Sequence, residues 1–277
     1  MTQNIQSPED LMKKPQESKL IKNMRAIKNK IMVMSGKGGV GKSTVAANLA
    51  ARLAERGHKV GLLDSDIHGP SIPKMFGIED QKPTVDENGL VPIAVTENLF
   101  VMSVGLLLPD KDAPVIWRGP AKMGAIKQLL EEVSWGKLDY LIIDLPPGTG
   151  DETLSIAQLI ETVDGAVVVT TPQDVAIVSV RKSIKFAEVL EVPVIGLVEN
   201  MSGIICPHCD EKIELFNKGG VEQAASDFNI KILGELPLDP KLAEIEDSGR
   251  VHSEMNNDME WSKNFSDIVD NVEKFSE

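Results

Sequence analysis

Short apolar runs alternate with longer stretches of helical periodicity along most of this chain. The apolar runs are four to seven residues long and are the predicted strands: residues 31–34, 59–64, 99–104, 139–144, 165–171, 192–198 and 231–236. Helical spacing follows several of them, at residues 43–54, 120–132 and 174–190. Strands that are apolar throughout are buried on both faces, so helices must cover both sides of the sheet. The pattern predicts an α/β fold with a mostly parallel, twisted sheet flanked by helices.

The first 29 residues lack this pattern. They are polar and rich in lysine, with Pro8 and Pro15 among them. Because so few apolar side chains cannot offset the entropy of ordering, we expect residues 1–29 to be a flexible N-terminal arm. At most a short helix over residues 17–27 is predicted there. The folded domain is then expected at residues 30–277.

Two further segments are predicted from their spacing. Residues 78–98 contain Pro83, Asn88-Gly89 and Pro92, which indicate turns and a small hairpin. From about residue 256 onward, apolar side chains recur at helical spacing: Trp261, Phe265, Ile268, Val269 and Val272. A membrane-binding helix is usually basic, whereas this one is acidic on balance. We therefore expect a C-terminal helix that docks on the domain.

Composition limits the classes of protein that remain. The chain has 277 residues, of which 42% are hydrophobic, and this is enough for one large α/β domain. The formal net charge of -13 argues against a general nucleic-acid surface, because phosphate binding needs clustered Lys and Arg. No run reaches the roughly 18 apolar residues that span a bilayer, and the N-terminus has no apolar signal segment. We expect a cytoplasmic protein with neither nucleic acid nor membrane as a partner.

The strongest chemical motif is the glycine loop GKGGVGKS at residues 36–43. It matches the pattern G-x-x-x-x-G-K-[ST] and lies between the first predicted strand and the first predicted helix. Glycines let successive N–H groups face a phosphate, and the helix adds its positive N-terminal end. Lys42 is expected to reach the β- and γ-phosphates, and the Ser43 hydroxyl to hold Mg²⁺. The predicted nucleotide-binding residues of this segment are Gly36, Lys37, Gly38, Gly39, Val40, Gly41, Lys42, Ser43 and Thr44.

Three aspartates end or closely follow predicted strands: Asp64, Asp66 and Asp144. In an open parallel sheet, ligands bind beyond the carboxyl ends of the strands, so these carboxylates are expected beside the glycine loop. One carboxylate can support a magnesium shell while another orients the attacking water. For Asp64 and Asp66, the alternative is an Asx turn that closes the strand. For Asp144, an acid after four apolar residues is common in parallel sheets, so this pattern indicates a magnesium ligand only because the glycine loop is also present.

Cys206 and Cys209 are the two cysteines of the chain and form a C-x-x-C pair. Such a pair suits a metal, an iron-sulfur cluster or a redox disulfide, and the spacing does not choose among them. Soft metal centres usually need four ligands, whereas one chain offers two thiolates. A two-fold dimer would bring four of them together on its axis. The alternative is a zinc knuckle that only pins a dimer, and His208 is a candidate zinc ligand.

Lys37 makes the glycine loop resemble the deviant Walker A motif of the MinD, ParA, ArsA and nitrogenase iron protein group. In that group the additional lysine reaches the nucleotide of a partner subunit. The resemblance implies an ATP-dependent homodimer, with Lys37 acting beside Lys42 in catalysis. On spacing alone, a solvated Lys37 is the more ordinary interpretation.

Further motifs make residues 30 to about 250 resemble the Mrp/ApbC iron-sulfur cluster carriers. These motifs occur in the expected order: DSDIHGPS at 64–71, WRGP at 117–120, DLPPGTGD at 144–151 and CPHC at 206–209. The resemblance implies a P-loop NTPase of the deviant Walker A type that binds and hydrolyses ATP. It also implies a [4Fe-4S] cluster held between the cysteine loops of a homodimer, and transfer of that cluster to apo-proteins.

The resemblance also implies roles for single residues. Asp66 would polarise the attacking water, Asp64 would contact Mg²⁺ in its outer sphere, and Asp144 would bind the magnesium shell through water. Asn200 and the backbone around Pro237 would contact adenine. Two segments, residues 64–70 and 146–151, would act as switches that respond to the γ-phosphate.

Three other functions compete with this one. A positioning ATPase of the MinD or ParA type would share the loop, but it should show a basic DNA surface or a membrane helix and would not need the cysteines. A nucleotide-gated protein with a structural zinc would keep the cysteines. A metabolic P-loop kinase would need a pocket for a phosphate acceptor, which the sequence neither shows nor excludes.

Overall fold

The computed structural model describes residues 19–108, 119–160, 162–205, 211–216, 219–254 and 259–277. Their strands are β1 (Ile27–Met34), β2 (Val60–Asp64), β3 (Thr84–Asp86), β4 (Gly89–Val91), β5 (Ile93–Ala94), β6 (Leu99–Ser103), β7 (Leu138–Asp144), β8 (Gly165–Thr170), β9 (Val194–Ile205), β10 (Lys212–Ile213) and β11 (Ile232–Leu238). Their helices are α1 (Lys19–Arg25), α2 (Lys42–Glu55), α3 (Ile72–Met75), α4 (Val104–Leu107), α5 (Gly119–Glu132), α6 (Asp151–Leu159), α7 (Asp174–Val189), α8 (Gly220–Phe228), α9 (Pro240–Asp247), α10 (Val251–Glu254) and α11 (Glu260–Ser276).

Within the described residues, nine strands build one central sheet. Its order is β10-β9-β8-β1-β7-β2-β6-β5, and β11 also pairs with β9. The pairs formed among β1, β2, β6, β7, β8, β9 and β11 are parallel, whereas β5 and β10 are short antiparallel strands. The seven predicted strands are thus the seven parallel ones, and the predicted fold class is confirmed. Strands β2 and β8 are buried along their whole length, as strands covered on both faces must be.

Helices cover both faces of the sheet and enclose a hydrophobic cluster on each. One cluster includes side chains of α2, α9 and α11, and the other includes side chains of α1, α5, α7 and α8. Successive residues of β1 alternate between the clusters: Ile31 and Val33 join the first, whereas Met32 and Met34 join the second. The loop that follows β1 therefore leaves the sheet from a strand whose last residues pack on both faces.

The predicted C-terminal helix is confirmed as α11. The five apolar side chains predicted to dock are fully buried, on a helix that packs against α2 and β11: Trp261, Phe265, Ile268, Val269 and Val272. The rings of Trp261 and Phe265 stack with their centroids 4.7 Å apart. The helix docks on the domain as expected. None of the helices in the described part of the chain has both the length and the hydropathy needed to cross a membrane.

The N-terminal boundary differs from the prediction. Residues 1–18 lie outside the described ranges, but α1 forms at Lys19–Arg25 and β1 already begins at Ile27. The domain start predicted at residue 30 therefore falls inside a strand. Helix α1 buries Leu20 and Met24 on one face, and the Asn23 amide donates to backbone oxygens at the end of α5 and just beyond it. The short helix predicted within residues 17–27 is present as α1, whereas the early start of β1 was not predicted.

The connections between β2 and β7 include the predicted hairpin, formed by β3 and β4 in antiparallel register. At its turn, a carboxylate oxygen of Asp86 accepts hydrogen bonds from the N–H groups of Asn88 and Gly89.

Strand β9 is longer than predicted: it does not end at residue 198 but continues to Ile205. It is extended because β11 pairs with it as far as Ile204 and β10 then adds an antiparallel pair.

Candidate nucleotide site and cysteine loop

The glycine loop connects β1 to α2 at the carboxyl edge of the central strands. Gly39 and Gly41 have φ angles of 77° and 81°, a left-handed conformation that glycine adopts without strain. Gly36 is required for a different reason, because a Cβ there would lie 2.4 Å from the backbone oxygen of Ser179 on α7. Gly41 caps α2 without any side-chain hydrogen bond to the first-turn N–H groups. Those groups and the helix dipole together form an anion-binding end.

Lys42, Ser43 and Asp144 converge at this helix end. The Lys42 ammonium lies 2.5 Å from Asp144 Oδ1, and the Ser43 hydroxyl donates to Asp144 Oδ2 at 2.6 Å. Asp144 is fully buried at the end of β7. Burial raises its pKa, while the charge and the hydrogen bond of Lys42 oppose that rise. The structure thus brings together the three residues predicted to bind phosphate and magnesium.

Asp64 lies beside this trio as the register partner of Asp144, on the adjacent strand β2. It is fully buried and accepts hydrogen bonds from the Ser103 hydroxyl at 2.9 Å and from the Asp66 N–H at 3.1 Å. Burial, and then the charge of Asp144, raise the pKa of Asp64 to about 8. Two buried carboxylates and a serine hydroxyl are oxygen ligands of the kind that Mg²⁺ prefers.

Asp66 follows the end of β2 and is partly buried. Its Oδ1 accepts hydrogen bonds from the N–H groups of His68 and Gly69, at 3.1 and 3.2 Å. These are the bonds of the Asx turn that was the structural alternative for this residue. The charge of Asp66 also raises the pKa of Asp144, so its carboxylate is close to the nucleotide site. The turn and a role in hydrolysis are compatible.

Both predicted switch segments contact elements that form the candidate nucleotide site. The backbone N–H and the hydroxyl of Ser65, in segment 64–70, donate to the backbone oxygen of Asp144. In segment 146–151, the N–H of Gly148 donates to the backbone oxygen of Ser35, just before the glycine loop. The two segments are therefore connected to β7 and to the glycine loop by direct hydrogen bonds.

Lys37 is held within its own chain. Its ammonium donates to Oε1 of Gln173 at 2.8 Å, and Gln173 is the N-cap residue of α7. The sequence offered no signal for this contact, because the two residues are 136 positions apart. Lys37 is thus not freely solvated, as spacing alone suggested, but bound to the start of α7.

The two residues expected at adenine lie close together on neighbouring strands. Asn200 is inside β9, not beyond its end as predicted, and its amide donates to the backbone oxygen of Val40 at 2.9 Å. Leu236 is its register partner on β11, so Pro237 is one residue away. A Cβ at Gly41 would lie 2.1 Å from the Asn200 amide nitrogen. Asn200 therefore supports the glycine loop, and its predicted contact with adenine remains a prediction.

Cys206 and Cys209 lie outside the described residues, as do Trp117, Arg118 and His208. The flanking strands define where the cysteine segment begins and ends. Ile205, the last residue of β9, pairs in antiparallel register with Lys212 of β10. The residues before and after the cysteine segment are therefore neighbours in the sheet. Ile205, where the segment begins, lies five residues after Asn200 on β9.

A glycine loop between a strand and a helix, with a lysine, a serine and a strand-end aspartate converging on it, defines a nucleotide-binding P-loop protein. The comparison with known families gives the particular branch. A family profile described as ParA, NUBPL iron-transfer P-loop NTPase, matches residues 26–273, and the chain belongs to this family.

Similar proteins agree with this assignment. The iron-sulfur cluster carrier protein of Methanocaldococcus jannaschii is 50% identical over 260 residues, which cover 93% of this chain and 90% of the relative. The cytosolic Fe-S cluster assembly factor NUBP2 homolog of Dictyostelium discoideum is 52% identical over 224 residues, covering 79% of this chain and 84% of the relative.

Solved structures support the same fold. A nucleotide-binding protein of Archaeoglobus fulgidus, in complex with ADP, is 41% identical and superposes with a TM-score of 0.77, covering 89% of this chain and 96% of the other. The cell division ATPase MinD of Pyrococcus furiosus is 22% identical, has a TM-score of 0.65 and covers 89% and 99% of the two chains, which shows the fold alone. The predicted resemblance to the iron-sulfur carrier branch and the predicted NTPase class are thus confirmed at the level of the family.

Proposed function

We propose that this protein is an ATP-binding and ATP-hydrolysing iron-sulfur cluster carrier. It forms a homodimer, holds a [4Fe-4S] cluster between the cysteine loops of the two subunits and transfers it to apo-proteins. The observation that carries the proposal is the course of β9. This strand contacts the glycine loop through Asn200 and runs to Ile205, directly before Cys206. Family membership and the names of the relatives support the same function.

Nucleotide binding would rearrange the pair of Lys42 and Asp144. In the structure, the Lys42 ammonium forms an ion pair with the Asp144 carboxylate. The phosphates of ATP would attract Lys42 and free the Asp144 carboxylate, which can then bind the magnesium shell together with Ser43 and Asp64. Their oxygen donors fit Mg²⁺, which would supply charge neutralisation on the phosphates.

Hydrolysis would depend on Asp66 and on Lys37. Asp66 would orient the attacking water, and Lys37 of each subunit would leave Gln173 to reach the phosphates bound by the other. Loss of the γ-phosphate would release the segments 64–70 and 146–151 from their closed positions. Because β9 joins the glycine loop to the cysteine segment, the nucleotide state would change access to the cluster.

The cluster is the cargo of this cycle. Cys206 and Cys209 give two thiolates per chain, and two chains give the four that a [4Fe-4S] cluster needs. Apo iron-sulfur proteins are the proposed acceptors. The proposed location is the cytoplasm, in agreement with the name of the Dictyostelium relative.

Anaerobic reconstitution with iron and sulfide tests the carrier function. We expect visible absorption and close to four iron and four sulfide per dimer in the wild type, measured by absorbance, chemical analysis and size-exclusion chromatography. The double variant Cys206→Ala, Cys209→Ala should bind no cluster, whereas His208→Ala should keep it.

The other outcomes separate the competing functions. A colourless protein that binds zinc, and loses it in His208→Ala, would indicate a structural metal site. A cluster that survives loss of both cysteines would refute the ligand assignment. A protein that hydrolyses ATP but binds neither metal would support a positioning ATPase instead.

A further inference from the structure

The first turn of α2 makes a contact that the proposed mechanism does not use. The hydroxyl of Thr44 lies 3.2 Å from Oε2 of Glu246, near the end of α9. Helix α9 begins at Pro240, shortly after Pro237 on the expected adenine side. The hydrogen bond therefore joins two walls of the expected nucleotide site: the helix that starts at the glycine loop, and the helix that follows the adenine-side strand.

Glu246 is an unusual neighbour for a phosphate site. Its second oxygen, Oε1, is buried and has no hydrogen-bond donor among the described residues. Within the same residues, no lysine or arginine forms an ion pair with it. Burial raises the pKa of Glu246 to about 7, the hydrogen bond from Thr44 opposes this rise, and the charge of Asp247 adds to it. A partly buried acid without a cation is costly, and its negative charge is opposite to what phosphates attract.

The hydroxyl of Thr44 can serve only one acceptor at a time. A threonine hydroxyl carries a single proton, so a proton donated to Glu246 is not available to a phosphate oxygen. With Glu246 in place, the phosphates are left with the backbone N–H of Thr44. Each hydrogen bond to a charged oxygen has roughly twice the strength of a neutral one, so this loss is appreciable.

We infer that Glu246 is a positioning residue that weakens nucleotide binding, because it keeps the hydroxyl proton of Thr44 away from the phosphates. Acting through Thr44, Glu246 favours release of ADP after hydrolysis. This inference rests on the proposed function only in taking the glycine loop as the nucleotide site.

The variant Glu246→Gln tests the inference with almost no change of shape. A glutamine amide can donate to the oxygen of Thr44, and this frees the hydroxyl proton for a phosphate. We expect ADP to bind about tenfold more tightly at pH 8, measured by isothermal titration calorimetry. The dissociation rate of a fluorescent ADP analogue should fall by a similar factor, while the single-turnover rate of ATP hydrolysis should not change.

Three further variants distinguish this role from a merely structural one. In a Thr44→Val background, most of the effect of Glu246→Gln should disappear, since no hydroxyl remains to be redirected. Glu244→Gln makes the same charge change at an exposed position of α9 and should leave ADP affinity unaltered. A structural role would instead make both Glu246→Gln and Glu246→Ala less thermostable and weaker in binding ADP.

The possible results are distinct. Equal ADP affinity in the wild type and Glu246→Gln, or weaker binding in the variant, would overturn the inference while leaving the proposed function intact. A wild-type protein that binds no ADP would overturn the proposed function and the inference together.

Discussion

At the scale of residues, the candidate nucleotide site places two buried carboxylates, Asp64 and Asp144, beside one buried ammonium, Lys42. Lys42 and Ser43 both bind Asp144, whereas among the described residues Asp64 accepts hydrogen bonds from neutral donors alone. Two adjacent carboxylates cannot both be charged at low cost when one cation is present. Positive charge from outside, of the kind that the proposed hydrated magnesium ion carries, would lower this cost.

Substitution of Asp66 separates its two possible roles. Asparagine keeps the oxygen that accepts from His68 and Gly69 but removes the charge, whereas alanine removes both. If Asp66 orients water, we expect Asp66→Asn to lower kcat for ATP by about 100-fold and to leave ADP affinity unchanged.

Steady-state hydrolysis and ADP titration of both variants provide the measurement. Asp267→Asn, at an exposed position of α11, is the matched control. Normal hydrolysis by Asp66→Asn together with slow hydrolysis by Asp66→Ala would assign Asp66 to the turn alone.

At the scale of elements, the predictions from sequence succeeded where burial imposes a simple pattern. Parallel strands that are covered by helices on both faces are apolar throughout, so all seven could be located as apolar runs in the sequence. The early start of β1 was missed because Lys28 is exposed and Lys30, although buried, carries a charge that pairs with Asp164. Strands β5 and β10 have only two residues each and leave no detectable pattern.

Residue contacts across long sequence distances were likewise out of reach. The glycine loop and the three aspartates were identified because their positions relative to strand ends are local. Gln173 and Glu246 meet Lys37 and Thr44 only in the folded chain. The cysteine pair was found by its spacing, and its geometry stays a prediction because Cys206 and Cys209 lie outside the described residues.

Helix α11 should contribute strongly to stability. Phe265 is fully buried and stacks on Trp261, so Phe265→Ala should lower the free energy of unfolding by about 3–5 kcal/mol. Phe275 on the same helix is 42% exposed, and Phe275→Ala should cost far less. Urea denaturation followed by circular dichroism compares the two. Similar midpoints for both variants would mean that α11 separates before the domain unfolds.

At the scale of the whole molecule, the buried acids connect the global stability to pH. The pKa of Asp64 is about 8 in the folded chain, well above the value of about 4 expected after unfolding. Between these values the folded state binds more protons than the unfolded state, so stability falls as pH rises from about 4 to about 8. Ionisation of Asp64 near neutral pH therefore costs stability, and the proposed magnesium ion would lower that cost.

The variant Asp64→Asn should abolish this part of the pH dependence. We expect the nucleotide-free variant to be more stable than the wild type at pH 8, by a few kcal/mol, and nearly equal to it at pH 4. Thermal unfolding in the presence of a chelator, over this range of pH, provides the measurement. Asp267→Asn again serves as the control, and parallel pH profiles for the wild type and Asp64→Asn would contradict the buried-acid explanation.

The hydrogen bond between Lys37 and Gln173 has a consequence for the concentration at which subunits can pair. Gln173 is attached to the same chain as Lys37 and lies 2.8 Å away, so it competes with any partner at a fixed effective concentration that dilution does not change. A net cost of about 1 kcal/mol for each bond, and thus about 2 kcal/mol for the two bonds broken in the proposed homodimer, would weaken dimerisation roughly 30-fold. In the proposed homodimer, this contact within one chain would raise the protein concentration at which two subunits pair.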